Sequence, residues 1–149
     1  MKTPPTYEDA NLILRLYELR REDRLRQARK WMAAAPQFAS RAEWLALCPP
    51  GSEENASYRM VTTYWEMAAS FVATGVLNRE LFFRANNLEL LLVWEKIKVL
   101  VPEMRAVANN PGMLRSMEEV ANAFIANIHE VSPGYYETFS ANIAKMGRG

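Results

Sequence analysis

Histidine and cysteine are nearly missing from this chain. His129 and Cys48 are the only one of each, they lie in different segments, and neither sits in a recognisable motif. Imidazole and thiolate carry much of the nucleophilic, proton-transfer and metal-binding chemistry of proteins. With one of each, Ser–His, Cys–His and multi-histidine constellations cannot be assembled, and no metalloprotease, P-loop or nucleophile-elbow motif occurs. The sequence therefore predicts no metal, no cofactor and no catalytic residue, while carboxylate chemistry built from Glu53, Glu54 and Glu66 stays open. A lone cysteine forms no internal disulfide and gives no sign of an oxidising compartment. Neither sign of charge is in excess: 18 Lys and Arg against 17 Asp and Glu leave a net +1, without the basic surplus usual in nucleic-acid binders. Long apolar runs are also missing. The best, residues 88–101, is interrupted by Glu89, Glu95, Lys96 and Lys98 and falls short of the ~20 apolar residues of a membrane span. The first residues lack the apolar core of a secretory signal, so a cytoplasmic protein is the expectation.

What is present is apolar residues at helical spacing. Half of the 149 residues are apolar and 11% aromatic, enough for one buried core, so residues 1–149 are expected to form a single domain. The six glycines fall at breaks or in the tail at 147–149, which is expected to fray, and no strand-like alternation stands between them. A first helix is expected over residues 6–35, opened by a Thr6/Asp9 capping box and ended by Pro36, with Leu12, Ile13, Leu16, Leu19, Leu25, Ala28 and Met32 as its apolar stripe. A short helix follows Ser40, whose box partner is Glu43. A long one spans 52–74 and is closed by Gly75, and a short turn follows Asn78. Residues 87–108 form the next, kinked or divided at Pro102. Residues 113–128 carry the cleanest amphipathic pattern, and a last helix starts at Tyr135. The fold class is all-α, an irregular bundle of five to seven helices.

Four residues stand out as a candidate ligand-binding group: Glu66, Trp65, Trp94 and Arg105. Glu66 sits among Thr62, Thr63, Ala69 and Ser70, where a half-buried carboxylate needs a cation or several donors to stay charged. Arg105 is one candidate cation; counting residues along a straight hairpin brings Lys96 or Lys98 closer. Trp31, Trp44, Trp65, Trp94 and eight methionines suit an apolar pocket, although such stripes are more often core or an oligomer interface. The segment from Arg20 to Lys30 is rich in arginine, but interleaved acids point to a solvated face with pairs such as Glu22–Arg26. His129 reads as a favourable charge at a helix C-terminus and Cys48 as a small buried hydrophobe.

Two segments carry a resemblance. Tyr64-Trp65-Glu66-Met67-Ala68 leads into Phe71-Val72-Ala73-Thr74-Gly75-Val76-Leu77-Asn78-Arg79-Glu80-Leu81-Phe82, followed by Trp94-Glu95-Lys96 and Pro102-Glu103-Met104-Arg105. Over about residues 58–105 the chain resembles an uncharacterised bacterial family of helical domains, catalogued as a domain of unknown function. The resemblance implies a helical fold, brings no activity, and singles out Glu66, Trp94 and Arg105. Many members of that family are expected to carry an N-terminal membrane helix, which this sequence does not show.

The function these features favour is a protein-interaction or scaffolding module, a homodimer or a partner of another protein, because paired amphipathic helices with surplus tryptophan and methionine suit helix-on-helix association. The main rival is a small apolar ligand held near Glu66. Nucleic-acid association through the basic N-terminal helix is disfavoured by the charge balance.

Overall fold

A computed structural model describes residues 3–146 of the chain, so the expected fraying of 147–149 lies outside the described residues. Among them the chain forms nine α-helices and no strand: α1 (Tyr7–Arg20), α2 (Asp23–Ala34), α3 (Arg41–Leu47), α4 (Glu53–Ala73), α5 (Arg79–Arg84), α6 (Leu88–Ile97), α7 (Val101–Ala108), α8 (Arg115–Val131) and α9 (Tyr135–Lys145). The all-α class holds, with nine helices in place of five to seven, because the helices expected over 6–35 and 87–108 are each divided.

The first division has no Gly or Pro behind it. The Arg21 and Glu22 amides donate back to Glu18 and Leu19 and close α1. Glu22 then leaves the helical region (ψ 140°), and its carboxylate accepts the Leu25 amide at 3.0 Å, capping α2 in a role more often filled by Ser, Thr, Asp or Asn. The expected Glu22–Arg26 pair is therefore replaced by Asp23–Arg26 at 2.7 Å. Leu19, expected in the apolar stripe, faces solvent. The second division is at Pro102, which lies in the first turn of α7, the place where a missing N–H costs least.

The local stop and start signals otherwise act as read. Thr6 and Asp9 form a reciprocal capping box. Ser40 caps α3, although the Glu43 carboxylate returns to the Ala39 amide, one residue earlier than expected. Asn78 caps α5, and Gly75 takes the left-handed conformation (φ +83°) that ends α4.

The 21-residue α4 is the longest helix, and α2 and α8 pack against it most extensively; α6 lies against α8 and α9. Ala68 and Ala69 of α4 are fully buried and Trp65 fills the space beside them, together with Met32 of α2, Met117, Val120 and Ala121 of α8 and Leu90, Leu91 and Ile97 of α6. One hydrophobic cluster draws on α1 to α8, with Tyr136 and Phe139 of α9 packed on its edge. No helix among the described residues is long and apolar enough to cross a membrane.

Candidate functional site

Glu66 is half-buried, as expected, but its partner is neither Arg105 nor a lysine. Its two carboxylate oxygens accept the backbone amides of Ser116 and Met117 at 3.0 and 2.8 Å. These are first-turn amides of α8, which is preceded by Leu114 in the left-handed region (φ +57°) and has no side-chain cap of its own. A helix N-terminus offers orphan donors and partial positive charge, so Glu66 on α4 caps α8 across the interface. Arg105 turns to the same loop from the other side: its Nε donates to the Met113 carbonyl at 2.8 Å, and it pairs with Glu118 at 3.2 Å. Trp65 is fully buried, edge-on to Tyr64, and Trp94 is buried in the core, as is Trp44, while Trp31 is packed at its margin. None of the four nominated residues lines either cleft described below.

The lysines are engaged elsewhere. Lys96 is fully buried, and its ammonium donates to the carbonyls of Met32, Ala33 and Ala35 at 2.7–2.8 Å, closing the C-terminus of α2. Burial pulls its pKa down to about 8. The exchange is mutual: the Phe38 amide and the Gln37 side chain, just beyond α2, bond the Lys96 and Glu95 carbonyls at the end of α6, both at 3.0 Å. Glu95 is also fully buried. It accepts from Lys98 at 2.9 Å, from the Tyr136 hydroxyl and from Ser140 at 3.1 Å, which ties α9 to α6. Burial, then the Glu95 hydrogen bond, pushes the Tyr136 phenol up. Lys96 therefore serves α2 and not Glu66, and Glu95 escaped the sequence reading because it looked like a charge that merely interrupted an apolar run.

The basic N-terminal segment is partly used internally. Arg20 is buried, its guanidinium 5.2 Å from the Tyr17 and Trp65 ring centres, with its Nε unpartnered. Arg29 pairs with Glu89 at 2.8 Å and donates to the Arg20 carbonyl. His129 lies in the last turn of α8, 3.6 Å from Glu137. Cys48 is fully buried, and burial lifts its thiol to about 11. Among the described residues no three His, Cys, Asp or Glu side chains gather as a metal-holding group.

Two features beside α1 are open to a partner. On α1, Tyr7, Leu14 and Tyr17 are 87%, 58% and 44% exposed. With Ala10 between them they follow the alternating 3- and 4-residue spacing of a helix-pairing seam. Beside the start of α1 lies a groove of about 910 Å³, walled by Thr3, Thr6, the α4–α5 turn around Val76 and the α8 residues Ala123, Ala126 and Asn127. Asp9 holds that wall: one carboxylate oxygen completes the α1 capping box, and the other accepts the Asn78 amide at 2.8 Å. The amides of Thr6 and Asn78 hold its carboxyl below the usual aspartate range.

Comparison with curated proteins and with solved structures finds no match. A family described as "Domain of unknown function (DUF4760)" matches residues 5–124, from the start of α1 into α8 and well beyond the segments that carried the resemblance. Glu66, Trp65, Trp94, Arg105, Lys96 and Asp9 all fall inside the match, while α9 with Tyr136 and Ser140 falls outside it. The chain belongs to this DUF4760 family of helical domains of unknown function.

Proposed function

We propose that the chain is an interaction module that self-associates through the outer face of α1. The exposed Tyr7, Leu14, Tyr17 stripe carries this reading. Large apolar side chains aligned at seam spacing on one helix are the pattern that a facing helix covers. The charged residues that suggested a ligand site are held in helix ends, which supports a surface role over a chemical one. Leu14 lies at the centre of the stripe, so a two-fold pairing sets each Leu14 against its counterpart. Sedimentation velocity across a concentration series is the test. Wild type should dimerise, and Leu14→Glu should stay monomeric with an unchanged melt, because Leu14 lies outside the core. Removing about 1.5–3 kcal/mol of apolar burial from each copy weakens a symmetric dimer by about 100-fold or more. A wild type that stays monomeric into the millimolar range, or a Leu14→Glu variant that dimerises as wild type does, refutes it.

The groove beside Asp9 favours a second reading, a small ligand or peptide segment seated between the α4–α5 turn and α8. Its volume falls in the range of ligand sites, and Val76 stands exposed on its wall. Ala126→Trp, which fills the groove, should leave dimerisation intact and abolish only this binding.

A further inference from the structure

A second cleft, of about 490 Å³, lies between α2, α6 and α9. Its apolar wall is Ala33, Leu88, Leu92 and Phe139, none of them fully buried, with Leu88 and Leu92 one turn apart on α6. The α2 side presents three cations, Arg26, Arg29 and Lys30, against a single lining carboxylate, Glu89.

These cations differ in availability. Arg29 is bound to Glu89 through its Nε and to the Arg20 carbonyl. Among the described residues Arg26 pairs with Asp23 alone, their side chains 65% and 81% exposed, and such pairs contribute little and exchange readily. Lys30 is exposed on the same helix face, one turn beyond Arg26. Glu89 neutralises one of the three charges and leaves the rim positive. Arg20, which is buried and makes no ion pair among the described residues, adds positive charge behind Arg29.

An apolar trough with a cationic rim on one side is complementary to a molecule with an aliphatic chain and one anionic end. We propose that this cleft binds a single-chain anionic amphiphile of the long-chain carboxylate class. The chain lies along Leu88, Leu92 and Phe139 while the carboxylate is held by Arg26 and Lys30. The site is distinct from the α1 seam and from the groove beside Asp9, and it does not depend on self-association.

Calorimetric titration of the whole protein with dodecanoate below its micellar concentration tests this, with dodecyl maltoside and acetate as the uncharged-headgroup and chainless controls. Saturable one-to-one binding of dodecanoate is expected, with neither control matching it. Arg26→Glu combined with Lys30→Glu should weaken dodecanoate by at least about tenfold. Both positions are exposed, and circular dichroism would confirm that the variant keeps its fold. Amide-shift mapping on the wild type supplies a readout independent of variants: shifts should centre on residues 26–33, 88–92 and Phe139. No saturable binding, equal binding of dodecyl maltoside, an affinity within about twofold of wild type after charge reversal, or shifts centred elsewhere would each overturn the proposal.

Discussion

Replacing Glu66 with alanine removes both acceptors from the first turn of α8. The Ser116 and Met117 amides have no intrahelical partner, and both residues are buried. A buried donor left without an acceptor costs about 1–3 kcal/mol, and hydrogen bonds to a charged group lie at the upper end of the usual range. Glu66 itself is half-buried, so water reaching the vacated space offsets part of that cost. The expected loss is about 2–4 kcal/mol, less than the roughly 3–5 kcal/mol of stranding a buried cation, because no cation is stranded. In a chain of this size that corresponds to a melting temperature lower by roughly 5–15 °C. Glu66→Gln keeps the shape and one acceptor and should lose about half as much. Urea melts followed by circular dichroism, with the m-value unchanged, measure both. A loss below about 0.5 kcal/mol for Glu66→Ala would refute the capping role and make Glu66 an ordinary surface acid.

Lys96→Met leaves three carbonyls at the end of α2 unsatisfied and should cost about 2–4 kcal/mol in the same melts. Because the folded pKa of Lys96, about 8, lies below its ordinary 10.5, the unfolded chain binds the proton more tightly between those values. The advantage of wild type over Lys96→Met should therefore grow as pH rises from 8 to 10.5, and a flat difference would contradict the burial of the ammonium. Asp9 has a lowered pKa, so its contribution is complete above the usual carboxylate range and is lost as pH falls through the folded value; the gap between wild type and Asp9→Asn should close below about pH 4. Glu95→Ala should cost about 2–4 kcal/mol, since the Lys98 ammonium partly reaches solvent, and should expose α9 to limited proteolysis before the rest of the chain.

The helix ends that a short-range rule can mark were legible: Thr6 with Asp9, Ser40, Ser52, Asn78, Gly75 and Pro102 all act at or beside the positions read from the sequence. The break at Arg21 was not, because the cap that follows it is a glutamate and the last carbonyl of α1, that of Arg20, is met by Arg29 from the next helix. The partner of Glu66 was not legible for a related reason. Residue counting locates charged side chains across a hairpin, but it does not locate the amides of a later helix, and Ser116 lies 50 residues beyond Glu66. Glu95 and Lys96 are adjacent in an apolar run and point to different neighbours, one toward α9 and one toward the end of α2. Only the assembled fold reveals that both are buried. The α1 seam was hidden by its own residues: Leu14 and Tyr17 alternate with Leu16 and Arg20, which turn inward, so the helix carries apolar residues on more than one face.

Native-state hydrogen exchange of four backbone amides tests directly whether charged side chains and neighbouring segments close these helix ends. Ser116 and Met117 open α8, Phe38 follows α2 and Asn78 precedes α5, and each amide is bonded by a distant part of the chain: Glu66 for the first two, the Lys96 carbonyl for Phe38 and Asp9 for Asn78. All four should exchange slowly, with protection approaching that of the α4 core, and Glu66→Gln should speed exchange at Ser116 and Met117 while leaving Phe38 unchanged. Free exchange at Ser116 and Met117 in the wild type, at the rate of an uncapped first turn, would contradict it.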